Sequence, residues 1–384
     1  MNDPIRILVV GCGHMGSSHA RAYHKMPDFE IAGLVSKDAD MMAQLAAELG
    51  GPPQFDDYEK ALAATRPDAV SINTYPDTHA DFCLKALRAG CHVFVEKPLA
   101  DKVEDAEAVV ELAGETGRKV VVGYILRVHP LWQKFIEIAR TLGKPLIMRM
   151  SLNQQSCGDR WRTHRNLMNS MSPMVDCGVH YVDVMCQITG ARPVQVHAVG
   201  ARLTDELKPG MYNYGHLHVI FDDGSVGWYE AGWGPMMSQV AYFVKDVIGP
   251  KGSISIVECP VCENRVESPN SDAHARSDGL RLHFADLDGN GQFVHRDIQV
   301  DNLKQPDHQE ICHREQQFFL RAIREGLDLS QHLRDAVNSL RILLAADQSS
   351  HTGKVVDLTE SGAPMEAQSD LSLKRDSLPC VARK

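Results

Sequence analysis

Residues 7–20 read ILVVGCGHMGSSHA: an apolar run, three glycines spaced Gly-x-Gly-x-x-Gly, then a helical pattern. The apolar run, Ile5–Val10, has the length and composition of a buried strand. Gly11 allows the tight turn that follows it. Gly13 lets an anion approach the main chain, and Gly16 lets the next helix pack close on the strand. The first N–H groups of that helix, around His14 and Met15, then face the anion. Strand, glycine loop and helix in this order predict a sheet of parallel strands with a pyrophosphate held at the strand ends.

Outward from this loop the first third keeps one rhythm. Further strands are predicted at Glu30–Val35, Ala69–Ile72, His92–Val95 and Lys119–Val122. Helical patterns fill the gaps at His14–Met26, Asp38–Leu49, Asp57–Thr65, Asp77–Ala89 and Lys102–Thr116. Such alternation implies a parallel sheet covered by helices on both faces. After Gly123 the rhythm changes. A helix is expected at Pro130–Leu142 with proline in its first turn, a strand at Pro145–Asn153, and a helix at Pro173–Ile188. Asp223-Gly224 between two strand patterns signals a hairpin, and Gly249-Pro250-Lys251-Gly252 punctuates the next pair. Helices near His308–Glu325 and Gln331–Ser349 close the fold. The expected plan is an α/β dinucleotide-binding domain of Rossmann type over residues 1–123 and an α+β domain with an open, mostly antiparallel sheet over 124–360. A loose polar tail follows over 361–384.

Bulk properties narrow the function. At 384 residues and 43% hydrophobic, the chain can bury the core of one large or two ordinary domains. Lys and Arg number 40 against 50 Asp and Glu, a net charge of −10, which argues against a nucleic-acid or anionic-membrane partner. There is no apolar run of membrane-spanning length and no charged-then-apolar leader, so a cytoplasmic location is expected. The ten cysteines are scattered through a long chain, which fits reduced thiols better than a disulfide framework.

Three places carry chemistry. An acid about 20 residues past the glycine loop would hold a ribose diol. Here Ser36 and Lys37 occupy that tip. A hydroxyl followed by a cation tolerates a 2′-phosphate and leans the cofactor from NAD toward NADP, although Asp38 could still reach the diol and Lys37 could be a solvated charge alone. The stretch HVFVEKPLA, residues 92–100, is a buried strand that delivers Glu96 and Lys97 at its tip and follows them with Pro98. Asp176 and His180 stand four apart on one helix face, and an imidazole is the natural base for a hydroxyl near neutral pH. Asp183, three residues on, would support that pair or be a plain helix partner.

With the glycine loop, the stretches NTYPDTHADFCLKALRAGCHVFVEKPLA (73–100), GYILRVHPLWQKF (123–135) and SPMVDCGVHYVDVM (172–185) resemble the family of glucose–fructose oxidoreductases, inositol 2-dehydrogenases and rhizopine-catabolism proteins. The similarity covers about residues 4 to 360. The resemblance implies that Glu96 sits at the cofactor cleft and that Lys97 stands beside the nicotinamide near a substrate oxygen. Partial burial is expected to lower the lysine's pKa and let it relay a proton. Asp176 and His180 would supply the other catalytic groups, His180 as base. Thr74, Pro76 and His79 would form the cofactor-side loop, and Trp161 with Arg162 would approach nicotinamide and substrate. Tyr124, Arg127 and His129 could point into the same cleft, with Arg127 as a brace between domains the alternative. The implied activity is NAD(P)-dependent hydride exchange with a secondary alcohol of a sugar, sugar derivative or cyclitol. Two other outcomes known in such relatives are glycoside cleavage through transient oxidation and non-enzymatic sensing.

Relatives also bury the open sheet against another subunit, which implies a homo-oligomer, dimer or tetramer. The strand GWYEAGW, with Trp228, Tyr229 and Trp233, would supply that face or belong to the core. One departure is NSMSPM at 169–174, where relatives often carry glycines, so the substrate pocket is expected to differ. No metal is expected. DLDGNGQFVHRD (286–297) spaces Asp286, Asp288, Asn290, Gly291 and Asp297 like a calcium loop, yet its flanks are strand-like and Asp-Gly-Asn-Gly makes a good turn. Cys259 and Cys262 form half a zinc site with only His274 and His283 to complete it, so free thiols are the better reading.

Overall fold

A computed structural model describes residues 3–168, 171–238, 244–257, 279–301 and 306–359. The first unit runs β1 (Ile5–Val10), α1 (His14–Lys25), β2 (Phe29–Val35), α2 (Ala39–Glu48), β3 (Gln54–Phe55), α3 (Tyr58–Thr65), β4 (Ala69–Ile72), α4 (Pro76–Arg88), β5 (His92–Glu96), α5 (Val103–Thr116) and β6 (Val120–Gly123). Its six strands lie in the order β3-β2-β1-β4-β5-β6, every pair parallel. The order reverses between β1 and β4, and a ligand crevice opens there at the carboxyl ends of the strands. The apolar runs are buried on both faces, as in β4 and β6, where every residue is buried. Asp38 and Asp57 cap α2 and α3 by accepting main-chain N–H groups of Met41 and Lys60. The two-residue β3 was not anticipated, since so short a piece carries no period.

The chain continues through α6 (Ile125–Val128), α7 (Pro130–Ala139), β7 (Ile147–Gln155), α8 (Gly158–Met168), α9 (Pro173–Thr189), β8 (Pro193–Ala201), β9 (Tyr214–Phe221), β10 (Val226–Gly234), β11 (Lys245–Gly249), β12 (Gly252–Val257), β13 (Gly279–Phe284), β14 (Ile298–Asp301), α10 (His308–Arg324), α11 (Ser330–Thr352) and β15 (Val356–Asp357). Nine strands form a second sheet, β14-β13-β12-β11-β7-β10-β9-β8-β15. Its ladders are antiparallel except β7 with β10. Period-2 burial along β9 and β12 shows one face in the core and one outside. Helices α9 and α11 cover the inner face. Tyr229 and Trp233 point into that core at 0% and 1% exposure, while Trp228 lies on the outer side, half-buried.

Helix α10 turns back to the first unit. Its residues Ile311, Cys312, Glu315, Gln316, Phe319 and Ala322, three or four apart, are buried. Phe319 and Ala322 join Ile7, Val9, Tyr23 and Phe94 in one apolar cluster. The end of the chain thus completes the core at the beginning, which a linear division at residue 123 does not convey.

The sequence 286–297 forms a turn. Asp288 accepts the N–H groups of Asn290 and Gln292, Gly291 has φ +75°, and Asp297 pairs with Arg281 and His283. Cys259, Cys262, His274 and the 361–384 tail lie outside the described residues. Among those described, no helix is long and apolar enough to cross a membrane.

Candidate active site

The glycine loop divides into two kinds of glycine. A Cβ on Gly11, at φ +93°, would stand 2.5 Å from the Asn73 carbonyl oxygen, and one on Gly16 would stand 1.8 Å from the Gly11 oxygen. The fold itself requires both to be bare. A Cβ on Gly13 would meet nothing within 4 Å. The space over Gly13 is therefore open to a ligand, at the start of α1. That helix has no side-chain cap and no acid in its first turn, so its amino end presents positive dipole to the crevice at His14 and Met15. The residues present fit a dinucleotide pyrophosphate.

The strand tips around the loop differ in how far they are engaged. At β2, the Ser36 hydroxyl accepts the Asp38 N–H at 3.1 Å, and Lys37 Nζ donates to the Asp56 carbonyl at 2.6 Å. The Asp38 carboxylate is held as the α2 cap, bonded to Met41 N at 3.0 Å. At β4, Thr74 and Pro76 flank Tyr75, whose ring is 79% exposed beside the crevice. His79 is fully buried beneath them. Its Nδ1 lies 2.7 Å from the Pro98 oxygen and its Nε2 3.1 Å from the Thr74 oxygen. Burial holds its pKa down, against the opposite pull of the two carbonyl contacts. His79 thereby ties the Thr74 loop to the loop that carries Lys97.

Lys97 leaves the tip of β5 and crosses to the second unit. Its ammonium donates to the Asp176 main-chain oxygen at 2.9 Å and to Asp176 Oδ1 at 3.2 Å. Burial acts to lower its pKa, but Asp176, Cys177 and Glu96 outweigh burial and hold it above the ordinary lysine value. The expectation of a lowered lysine pKa is therefore corrected: two carboxylates flank the ammonium, and Lys97 is a charged donor. Asp176 lies in the first turn of α9, where Ser172 caps the helix and the dipole favours a carboxylate. His180 follows one turn later on the same face. It is 4% exposed, with its ring edge-on to Tyr124 at 6.2 Å.

Other candidates are held elsewhere. The Tyr124 hydroxyl meets Ser339 of α11 at 3.0 Å, behind His180. Arg127 clamps Asp183 with contacts of 2.8 and 2.5 Å and meets His332 Nδ1 at 2.9 Å. It braces α6, α9 and α11 and is not directed at Lys97. His129 is buried where α6 passes into α7. Trp161 is buried with its indole N–H on Glu206 at 3.1 Å, and Arg162 is exposed and paired with Asp159. Among the described residues, the contacts of Trp161 and Arg162 run to Glu206 and Asp159 and not to the glycine loop or Lys97.

The sequence reading passed over His19, Tyr23 and Gln316, which stand behind Glu96. His19 carried one local signal, its place one turn past Gly16 on the same helix. Gln316 carried none, because its partner lies 297 residues away.

Residues 5–124 match the model described as the oxidoreductase family, NAD-binding Rossmann fold, and residues 136–255 match the GFO/IDH/MocA C-terminal domain. The chain is 32% identical to UDP-N-acetylglucosamine 3-dehydrogenase of Acidithiobacillus ferrooxidans over 53% of its own length and 60% of that relative's. It is 29% identical to scyllo-inositol 2-dehydrogenase (NAD(+)) of Bacillus subtilis, over 67% of this chain and 75% of the relative. In fold it is similar to scyllo-inositol dehydrogenase from Lactobacillus casei, solved with bound NAD(H) and scyllo-inositol. That likeness has a TM-score of 0.72 at 20% identity and covers 92% and 99% of the two chains. A glycine loop at the sheet's switch point and both domain matches lead to one conclusion: the chain belongs to the GFO/IDH/MocA oxidoreductase family.

Proposed function

We propose that this protein is an NAD(P)-dependent dehydrogenase that exchanges hydride with a secondary alcohol of a sugar, sugar derivative or cyclitol. The supporting observation is the meeting of Lys97 from the cofactor-side sheet with Asp176, one helical turn before His180. The bound nicotinamide supplies the hydride chemistry. Lys97, as an ammonium, donates to the substrate oxygen and stabilises the charge that develops there. Because Lys97 is already protonated, the hydroxyl proton goes to His180. Asp176 accepts from Lys97 and can accept a neighbouring hydroxyl of the polyol. The net change is one CH–OH oxidised to C=O, one nicotinamide reduced and one proton released; the reverse uses the same groups. Relatives named for inositols, a glucoside and a nucleotide sugar support this substrate class.

Ser36 and Lys37 favour a cofactor carrying a 2′-phosphate, because the carboxylate that could hold a free diol, Asp38, caps α2. Titration with NAD and NADP tests both parts of the reading. NADP is expected to bind more tightly, and Lys37→Ala to weaken NADP roughly 10- to 100-fold with NAD unchanged. That range corresponds to one charge-assisted hydrogen bond of about 1.5–3 kcal/mol. Failure of both cofactors to bind would contradict the dehydrogenase reading, and equal binding would contradict the NADP preference.

The outer face of the nine-stranded sheet favours a second copy of this chain as its cover. Ile220, Val226, Ile147 and Ile248 pair in register across four strands, and the three isoleucines are 38–42% exposed. An apolar row of this kind on a sheet face fits an isologous interface. Sedimentation at the mass of a dimer or tetramer is expected; a monomer would refute it.

A further inference from the structure

A buried chain of hydrogen bonds runs from α10 to the main chain of Lys97. Tyr23 of α1 donates its hydroxyl to Gln316 Oε1 at 2.6 Å. That fixes the amide, so Gln316 Nε2 donates to His19 Nδ1 at 2.8 Å. The His19 proton must then sit on Nε2, which lies 2.8 Å from Glu96 Oε1. The other Glu96 oxygen accepts the Lys97 N–H at 3.2 Å. Tyr23, Gln316 and His19 are 0% exposed and Glu96 is 7% exposed. Each link dictates the donor sense of the next.

We propose that His19, oriented by Gln316 and Tyr23, is a positioning residue that fixes the Glu96 carboxylate against the main chain of Lys97 and so sets where and in what charge state Lys97 meets the substrate. The inference rests on the assignment of Lys97 to the reaction.

Three observations support a role beyond packing. First, a lone buried carboxylate would take up a proton. Burial works to raise the Glu96 pKa, yet the hydrogen bond from His19 and the charge of the Lys97 ammonium bring it below the ordinary value. Glu96 therefore stays ionised and helps hold the Lys97 ammonium, together with Asp176 from α9. Second, Glu315 packs on the same site from α10 with 3% exposure and no partner for either oxygen. Burial and the Glu96 charge push its pKa well up, so of the two carboxyls Glu96 is the one that carries charge. Third, the chain crosses from the last third of the sequence to the first, which places a reacting group of the N-terminal unit under the control of α10. His19, Cys312 and Glu315 bring ligand atoms within 4.8 Å of one another, a donor set that could suit a metal ion. Both nitrogens of His19 are already engaged in the chain, and the hydrogen-bonded reading accounts for them.

The test compares His19→Leu with His19→Gln. The glutamine amide can reproduce the N–H that reaches Glu96; leucine cannot. His19→Leu is expected to lower kcat roughly 10- to 100-fold, the range for loss of an orienting partner, with cofactor Kd little changed, and His19→Gln to restore most of it. A second readout needs no turnover. Lysines are methylated with a carbon-13 label, Lys97 is assigned with a Lys97→Arg control, and its resonance is titrated by NMR. In His19→Leu, Glu96 takes up a proton and the Lys97 resonance titrates at lower pH than in the wild type. A folded His19→Leu protein with wild-type kcat and an unmoved Lys97 titration would overturn the proposal. If that variant does not fold, Gln316→Leu cuts the chain one link earlier and is read the same way, with a smaller shift in the same direction. If the wild type binds cofactor but oxidises no polyol, the assignment of function fails while the Lys97 titration still decides the role of His19.

Discussion

Replacing Lys97 with methionine is expected to lower kcat by about 10³-fold while cofactor Kd changes by less than about threefold. The side chain keeps its length and loses its charge and its donors. In the folded protein Lys97 reaches from the first unit to the second, donating to Asp176 at 2.9 and 3.2 Å. Turnover requires a donor at the substrate oxygen as negative charge grows there, and the Lys97 ammonium is placed to be that donor. The loss is expected in kcat, since the donor strengthens as the alkoxide forms. A methionine variant with wild-type kcat would show that Lys97 is only a structural bridge between the units.

The second large effect concerns Gly13. Gly13→Val is expected to fold with a melting temperature near that of the wild type and to lose cofactor binding by at least about 100-fold. No protein atom lies within 4 Å of a Cβ at that position, and its backbone is extended with φ −69° and ψ −167°, which valine adopts without strain. The added methyl groups would fill the space in which a pyrophosphate meets the start of α1. Gly16→Ala is the contrasting control. Its Cβ would lie 1.8 Å from a main-chain oxygen, so that variant should lose stability whether or not cofactor is present. Separate readouts of melting and of cofactor titration distinguish the two glycines. Unchanged cofactor affinity in Gly13→Val would contradict the placement of the anion.

The parallel sheet was legible in the sequence because each strand is a short, continuous apolar run beside a helical period, and helix starts carried caps such as Asp38 and Asp57. The placement of candidate residues was legible where they stood close in the chain: Glu96 with Lys97 at one strand tip, and Asp176 with His180 on one helix. What escaped depended on distant partners. The charge state of Lys97 is set by Asp176, 79 residues away, and burial alone pointed in the wrong direction. Arg127 read either as a cleft group or as a brace between domains, and the sequence could not choose because its partners Asp183 and His332 lie on two later helices. Helix α8 was missed because its sequence GDRWRTHRNLM has few apolar positions from which to read a period. The return of α10 to the first unit, and with it the Gln316–His19 chain, follows only from tertiary packing.

The most direct test of the central claim is isotope transfer. The wild-type protein is incubated with oxidised nicotinamide cofactor and sugars or cyclitols carrying deuterium on the carbinol carbons. The cofactor is then recovered and its C4 position is read by NMR and mass spectrometry. Deuterium is expected on C4 of the reduced nicotinamide for at least one polyol, and none with Lys97→Met. Bound cofactor that gains no deuterium from any polyol, in a protein that folds and binds it tightly, would contradict hydride exchange at this site.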